Sequence, residues 1–244
     1  MIKEVLKKFL IKIFKFLEQN LKIKFSSKTP VDFYLDDLSR EAYTFFAKEM
    51  TNCQVFNNDE SIREYSITKS LEQNSSSLKE SLFLEFGVFK GNSINFFAKI
   101  LKEKKIYGFD SFEGLEEDWI TSEFNKKGTF TTYGKKPKVF KNVSLIRGKI
   151  QETLEIFLKH QAEKKISFIH LDVDNYLPTK FILEKTKPFL KNGTVILFDE
   201  FYGFPNWKNY EYKALNETFN KKNYKFIAFS TRQAAIEITN IINI

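Results

Sequence analysis

Paired acidic residues follow two apolar segments in the second half of the chain. The segment ISFIHLDVD ends in Asp172 and Asp174, and the segment GTVILFDE ends in Asp199 and Glu200. If the two segments are neighbouring strands of a parallel sheet, four carboxylates meet at one edge of it. Carboxylates this close repel one another, so the site needs a metal ion, a shared proton or a cationic ligand. A hard cation such as Mg²⁺ takes oxygen ligands of this kind.

A glycine-containing turn precedes these segments. The stretch LEFGVFKGNS places Gly87 and Gly91 between a predicted strand and a predicted helix, with Glu85 near the end of the strand. Glycine lets the backbone approach a ligand closely, and a helix N-terminus presents N–H groups to it. The spacing lacks one glycine of the full dinucleotide fingerprint, so taken alone it also fits an ordinary strand-to-helix turn.

A further acid lies where a ribose would be bound. The segment YGFD ends in Asp110, and one helix fits between it and Glu85. In Rossmann-like folds an acid at the end of the second strand binds ribose hydroxyls. The glycine turn and this acid, found in this order, predict a cofactor that contains ribose.

Histidine and cysteine are scarce. His170 lies in an otherwise apolar segment, two positions before Asp172, and is either a hydrogen-bonded core residue or a base or ligand. His160 ends a lysine-rich helix and is expected to face solvent. Cys53 is the only cysteine, which argues against a disulfide framework or a cysteine-based zinc site. A single thiol fits a reducing, cytoplasmic compartment.

The apolar pattern predicts the elements that position these residues. From residue 81 onward, short apolar runs alternate with amphipathic helical segments, which is typical of a parallel sheet buried on both faces. Only three residues separate the last two runs, so the final strand should be antiparallel to its neighbour. The predicted strands are 82–86, 105–110, 143–147, 166–172, 193–198, 224–229 and 233–239, and the predicted helices are 92–102, 151–160, 178–189 and 207–221.

The first 78 residues are predicted to be helical. Breaks at residues 26–30 and near 57–59 divide them into three pieces, and an Asn/Ser cluster at 74–77 indicates a linker. Three regions follow from this pattern. They are an N-terminal extension over residues 1–30, a helical cap or substrate-side segment over 31–78, and the cofactor-binding domain over 79–244.

Residues 1–25 have the pattern of a basic amphipathic helix. Lysines interrupt every apolar stretch, which argues against a signal peptide and against a membrane span. Such a helix packs on its own domain, packs on a second copy in a homodimer, or attaches peripherally to the inner face of an anionic membrane.

Composition adds little about partners. The chain has 244 residues, 42% of them hydrophobic, which is enough for a large core. The formal charge of +8 is spread along the chain, without the compact Lys/Arg tract that would indicate a nucleic-acid partner.

Five motifs occur in the order found in a known family. They are LEFGVFKGNS, YGFDSFEGL, LIRG, FIHLDVDNY and FDEF. Over roughly residues 80–240 the chain resembles the macrocin O-methyltransferase (TylF-type) family of class I S-adenosylmethionine-dependent methyltransferases. The resemblance implies a Rossmann-like α/β sandwich with a seven-stranded, mostly parallel sheet whose last strand is antiparallel. It also implies Mg²⁺-assisted methylation of a hydroxyl, commonly on a sugar.

The resemblance implies roles for the matching residues. Asp174 would be the general base, and His170, by its position, is a second catalytic candidate. Asp172, Asp199 and Glu200 would bind the metal, although Glu200 stands where related sequences often have Asp. The S-adenosylmethionine-binding set would be Glu85, Phe86, Gly87, Gly91, Asn92, Ser93, Asp110, Ser111, Phe112, Gly148 and Asp172.

Two other functions fit parts of the pattern. Asp172-Val-Asp174 is a D-x-D sequence, as found in metal-dependent nucleotide-sugar glycosyltransferases, but the glycine turn and Asp110 fit that fold less well. The other reading is a non-catalytic methyltransferase fold that associates with a membrane through its N-terminal helix. The intact set of acids argues for activity. The acceptor is expected to be a hydroxyl of a small molecule or glycan.

Overall fold

The computed structural model describes residues 2–21, 28–73, 81–121 and 124–241. The predicted linker at 74–77 lies outside the described residues. Within this part of the chain, no helix combines the length and the hydropathy that a membrane span requires.

Three helices form the N-terminal part, as predicted. They are α1 (Ile2–Leu21), α2 (Pro30–Met50) and α3 (Asp59–Gln73). Local hydrogen bonds explain two of the starts. The backbone N–H of Asp32 donates to Thr29 Oγ1 over 3.2 Å at the start of α2, and Ser61 N–H donates to Asn58 Oδ1 over 2.8 Å at the start of α3. Both contacts satisfy N–H groups that an α-helix leaves unpaired at its first turn.

From residue 81 onward strands and helices alternate. The helices are α4 (Asn92–Leu101), α5 (Ile150–His160), α6 (Tyr176–Thr186) and α7 (Glu211–Thr218). The strands of the main sheet are β1 (Gln54–Val55), β2 (Ser81–Phe86), β3 (Ile106–Asp110), β6 (Val143–Arg147), β7 (Lys165–Leu171), β8 (Val195–Phe198), β9 (Tyr224–Phe229) and β10 (Ala234–Ile238). A separate antiparallel pair consists of β4 (Trp119–Ile120) and β5 (Phe124–Asn125).

The sheet is mostly parallel. Its spatial order is β1-β9-β10-β8-β7-β2-β3-β6. Only β10 runs against its neighbours, β8 and β9, as the short connection before it predicted. The chain order reverses between β2 and β7, and ligands bind at such a switch point in open α/β sheets.

The number of strands differs from the prediction. The main sheet has eight strands rather than seven, because Gln54 and Val55 add a parallel edge strand next to β9. Both residues are exposed, so backbone hydrogen bonds and not apolar burial define this strand. Two exposed residues leave no alternating pattern that a sequence could reveal.

Both faces of the sheet are buried. Leu84 packs in a cluster with Leu154 of α5 and Ile182 of α6, whereas the adjacent Phe83 packs in a second cluster with residues of α3 and α4. Successive side chains of a strand point to opposite faces, so β2 contributes to both layers. The result is a three-layer sandwich that presents the carboxyl ends of its strands at one edge.

The chain forms two compact units. They are residues Met1–Asp37 and Leu38–Ile244. The predicted boundaries after residues 30 and 78 differ from this division and stay predictions. Helix α3 belongs to the larger unit, because its Ile62 and Ile67 are fully buried in the core beneath the sheet.

Candidate active site

Three strand ends lie side by side at the carboxyl edge of the sheet. The N–H of Gly87 donates to Phe109 O over 3.0 Å, and the N–H of Asp172 donates to Phe86 O over 2.9 Å. The N–H of Asp199 donates to Leu171 O over 2.9 Å. The β-ladder therefore extends one residue beyond β2, β7 and β8. It brings the glycine turn and the two acidic strand ends together, as the parallel arrangement predicted.

A cavity of about 500 Å³ opens at this edge. Aromatic residues that the sequence analysis did not select, Phe89, Trp119 and Phe130, form part of its wall. Its wall also includes a first group of the predicted site residues, namely Gly87, Asp110, Ser111, Gly148, Asp172, Asp174, Asp199 and Glu200. The predicted cofactor side and the predicted metal side thus share one cavity.

Gly87 is required by a close backbone approach. Its φ is +85°, a conformation that side chains of L-residues rarely adopt. A Cβ at this position would lie 1.7 Å from the carbonyl oxygen of Asp172. Only glycine lets β2 end this close to the acidic end of β7.

Asp110 organises the turn after β2. Its Oδ2 accepts the backbone N–H groups of Val88 and Phe89 over 2.8 and 2.7 Å, and its Oδ1 accepts Phe112 N–H over 2.6 Å. The carboxylate therefore fixes the backbone that faces the cavity. Its binding of a ribose stays a prediction, and the observed role is to shape the loop.

A second group of predicted site residues lies away from the cavity wall. Ser93 Oγ donates to Glu85 Oε1 over 2.8 Å, and both side chains are buried. This hydrogen bond ties β2 to the first turn of α4. The residues of the second group are Glu85, Phe86, Gly91, Asn92, Ser93, Phe112 and His170. None of these residues lines the cavity, and their contacts with a cofactor or substrate stay predictions.

His170 is fully buried between two carboxylates. Its Nε2 lies 3.2 Å from Asp199 Oδ1, and its Nδ1 lies 3.5 Å from Glu85 Oε2. Burial favours the neutral ring, but the hydrogen bond to Asp199 and the nearby charge of Glu85 outweigh it and raise the pKa of His170 to about 9. The ring therefore lies between Glu85 of β2 and Asp199 at the end of β8, in the buried setting of a core histidine, and its role as a base or ligand stays a prediction.

Asp199 is the acid of the site whose negative charge is best balanced by nearby hydrogen-bond donors. Its Oδ1 accepts hydrogen bonds from Arg63 Nη2 over 2.7 Å, from His170 Nε2 and from Gln233 Nε2. Burial opposes ionisation, but the His170 hydrogen bond and the charge of Arg63 hold the pKa of Asp199 below its ordinary value. Oδ2 accepts no hydrogen bond from any residue that the structure describes, so it is free to ligate a cation.

The other acids resist ionisation. Burial, followed by the charges of Asp199 and Asp174, raises the pKa of Asp172 well above its ordinary value. Burial, followed by the charges of Glu200 and Asp199, raises the pKa of Asp174 to about 8. Asp174 also adopts a φ of 61°, which holds a non-glycine residue in the left-handed region. A carboxyl with such a pKa is suited to accept a proton near neutral pH.

Glu200 pairs with a cation at the cavity edge. Its carboxylate oxygens lie 3.5 and 3.4 Å from Arg232 Nη1. Burial raises the pKa of Glu200 to about 7, and the charge of Arg232 opposes the rise.

Sequence reasoning missed a fifth acid. Glu211, the first residue of α7, is fully buried and accepts the backbone N–H of Glu200 through Oε2 over 3.2 Å. Its Oε1 is buried without a hydrogen-bond partner among the described residues. Burial and the nearby acids, Asp199 first, raise the pKa of Glu211 well above its ordinary value. Nothing in the local sequence of α7 indicates that this acid points inward.

The donor set fits a hard divalent cation. One ligand atom each from His170, Asp172 and Asp199 lie within 4.8 Å of one another. His170 is engaged with Asp199, so the carboxylate oxygens of Asp172 and Asp199 are the groups suited to Mg²⁺, with water and substrate as further ligands. A cation there would relieve the repulsion that raises the pKa of Asp172. Glu200 is a weaker candidate because it pairs with Arg232.

Two comparisons with known proteins find similarity to methyltransferases. Residues 84–201 match the family described as "Methyltransferase domain". This matching stretch contains the glycine turn and both acidic strand ends. Comparison with curated protein sequences gives no match.

Solved structures of methyltransferases share the fold. CalS11, a calicheamicin methyltransferase, superposes with a TM-score of 0.58 at 19% identity, over 87% of this chain and 95% of that chain. Its apo form, described as a TDP-rhamnose 3'-O-methyltransferase, gives a TM-score of 0.53. The O-methyltransferase NovP gives 0.52 at 16% identity, over 85% of this chain and 99% of that chain. The Rossmann-like class I methyltransferase fold, first indicated by the motifs, is thereby confirmed.

Proposed function

We propose that this chain, with a methyltransferase domain over residues 84–201, is an S-adenosylmethionine-dependent O-methyltransferase that acts on a hydroxyl of a sugar or glycosylated small molecule. One observation carries the proposal. The cavity combines a glycine turn that lets the backbone approach a cofactor with buried carboxylates that can take a proton and hold a cation.

The residues divide the work between two sides of the cavity. On one side, Gly87 provides space, Asp110 holds the loop, and Ser111 and Gly148 line the wall against a nucleoside. On the other side, Asp172 and Asp199 would hold Mg²⁺. S-adenosylmethionine would supply an electrophilic methyl group, and a bound Mg²⁺ would lower the pKa of the acceptor hydroxyl.

Asp174 is the general base of this proposal. The hydroxyl oxygen forms a bond to the methyl carbon while the sulfur–methyl bond breaks, and the hydroxyl proton passes to the Asp174 carboxylate. Methyl transfer is an in-line displacement, so alignment and removal of this proton are the main contributions that a protein can make.

The proposal is tested by methyl transfer from labelled S-adenosylmethionine. The acceptors are deoxysugar nucleotides, methyl glycosides and catechol, each with Mg²⁺ and with a chelator. Deoxysugar nucleotides come first because the CalS11 description names TDP-rhamnose. We expect Mg²⁺-dependent labelling of a sugar hydroxyl. Labelling of catechol alone would mean that the acceptor is a phenol and not a sugar. Cleavage of a nucleotide sugar without methyl transfer would favour the glycosyltransferase interpretation of the D-x-D sequence.

Other expectations concern the setting of the enzyme. A cytoplasmic location, a homodimer and a peripheral membrane contact through residues 1–25 stay predictions, and so does the absence of a nucleic-acid partner. None of them is needed for the chemistry proposed for the cavity.

A further inference from the structure

One face of α1 is apolar and exposed. Its residues recur at spacings of three and four positions, so they lie along one side of the helix. Their side chains are between 38% and 63% exposed. These residues, the apolar strip of α1, are Leu6, Phe9, Ile13 and Phe16.

Lysines run along the border of the apolar strip. Lys8, Lys12 and Lys15 recur at spacings of four and three, which places them about 100° around the helix from the strip. The sequence of α1 contains five lysines and two glutamates, so the helix is net positive. Long lysine side chains at such a border can keep their charge in water while their methylenes cover apolar surface.

We propose that α1 binds the surface of an anionic lipid bilayer and lies parallel to it. The apolar strip enters the boundary between headgroups and acyl chains, and the bordering lysines contact the lipid phosphates. α1 has too many charges to cross the bilayer, in agreement with the absence of a membrane-spanning helix among the described residues.

Charge complementarity selects lipid over a second copy of the chain. Two α1 helices that met through their apolar strips would place their bordering lysines close together, and like charges oppose such contact. An anionic bilayer offers an apolar layer for the apolar strip and, at its surface, negatively charged phosphates for the bordering lysines. This attachment goes beyond methyl transfer and does not depend on it.

The test is co-sedimentation of the full-length protein with vesicles. Mixed phosphatidylcholine and phosphatidylglycerol vesicles are compared with pure phosphatidylcholine, each at low and high salt. We expect binding to the anionic vesicles at low salt and its loss in high salt, because screening weakens contacts between exposed charges. No methyl-transfer activity is needed for this readout.

Matched single substitutions locate the contact. Phe16→Gln removes an aromatic side chain that is 63% exposed on α1, and we expect roughly tenfold weaker binding. Ile156→Gln changes a side chain that is 59% exposed on α5 and should leave binding unchanged. The combined change K8Q, K12Q and K15Q should abolish the preference for anionic vesicles.

Three results would overturn the proposal. The first is equal binding to both vesicle types, and the second is equal loss of binding in Phe16→Gln and Ile156→Gln. The third is no vesicle binding at all. In that case sedimentation equilibrium tests the other occupant: a dimer that Phe16→Gln dissociates assigns the apolar strip to a second copy, and a monomer excludes that assignment too.

Discussion

The imidazole Nε2 of His170 lies 3.2 Å from Oδ1 of Asp199, one of the acids that line the cavity. On its other side, Nδ1 lies 3.5 Å from Glu85 Oε2. His170 itself is fully buried and does not line the cavity. The contact therefore ties His170 to Asp199 at the cavity edge, and a catalytic role of His170 stays a prediction.

His170→Gln should destabilise the protein by about 3 kcal/mol, since removal of one partner leaves buried charge uncompensated. Thermal and urea unfolding measure the effect. His160→Gln is the matched control, because His160 is the only other histidine and is exposed. An unchanged stability of His170→Gln together with lost turnover would assign His170 to the chemistry instead.

Asp174→Asn should remove most of the turnover and leave the affinity for S-adenosylmethionine nearly unchanged. Proton transfer by a placed base contributes roughly 10²–10⁴-fold to rate. Asn tolerates the φ of 61° found at this position, so the backbone is preserved. The measurement pairs initial rates with calorimetric titration of the cofactor. Parallel loss of rate and affinity would indicate that Asp174 only maintains the cavity.

Gly87→Ala should abolish cofactor binding. The added methyl group would overlap the carbonyl oxygen of Asp172, and one of the two strand ends must move. Gly128→Ala is the control, since Gly128 has a φ of +86° but open space around it. Both variants carry the same backbone strain, and only Gly87→Ala carries the clash. Comparable cofactor affinity in the two variants would contradict the close approach at Gly87.

The metal-free protein should lose stability as the pH rises from about 6 to 9. The pKa of His170 is raised from 6.5 to about 9, so its stabilising charge is present below 6.5 and is lost as the pH passes 9. The pKa of Asp174 is raised from 3.8 to about 8, so the folded protein loses stability as the pH rises from 3.8 to about 8. Both groups bind more protons in the folded state than in the unfolded state. For each of them the free energy of unfolding therefore falls as the pH rises.

Mg²⁺ should reduce this alkaline loss, because it binds the deprotonated carboxylates of the folded state. Thermal unfolding at pH 6 and pH 9, with MgCl₂ and with NaCl of equal ionic strength, measures it. A larger rise in Tm with MgCl₂ at pH 9 than at pH 6 is expected. Equal effects of the two salts would argue against a specific cation site.

Features that depend on nearby residues could be predicted from the sequence. The alternation of apolar runs and helices predicted the parallel sheet, and the short connection before β10 predicted its antiparallel direction. The same pattern predicted that the ends of β2, β7 and β8 lie close together, because parallel strands share one carboxyl edge. The two-residue strand β1 was missed because its residues are exposed.

Contacts between distant residues could not be predicted. Arg63 and Asp199 are 136 positions apart, and their ion pair depends on how α3 packs against the sheet. Glu211 looks like an ordinary acid at a helix start, and only the fold shows that it is buried beside Glu200. The sequence therefore indicates which strand ends carry acids, but not which of these acids are paired with cations.

Isothermal titration of the wild-type protein with S-adenosylmethionine tests whether the cavity binds this cofactor. We expect one binding site for S-adenosylmethionine per chain. Absence of binding to S-adenosylmethionine, with Mg²⁺-dependent binding of a nucleotide sugar in its place, would contradict it.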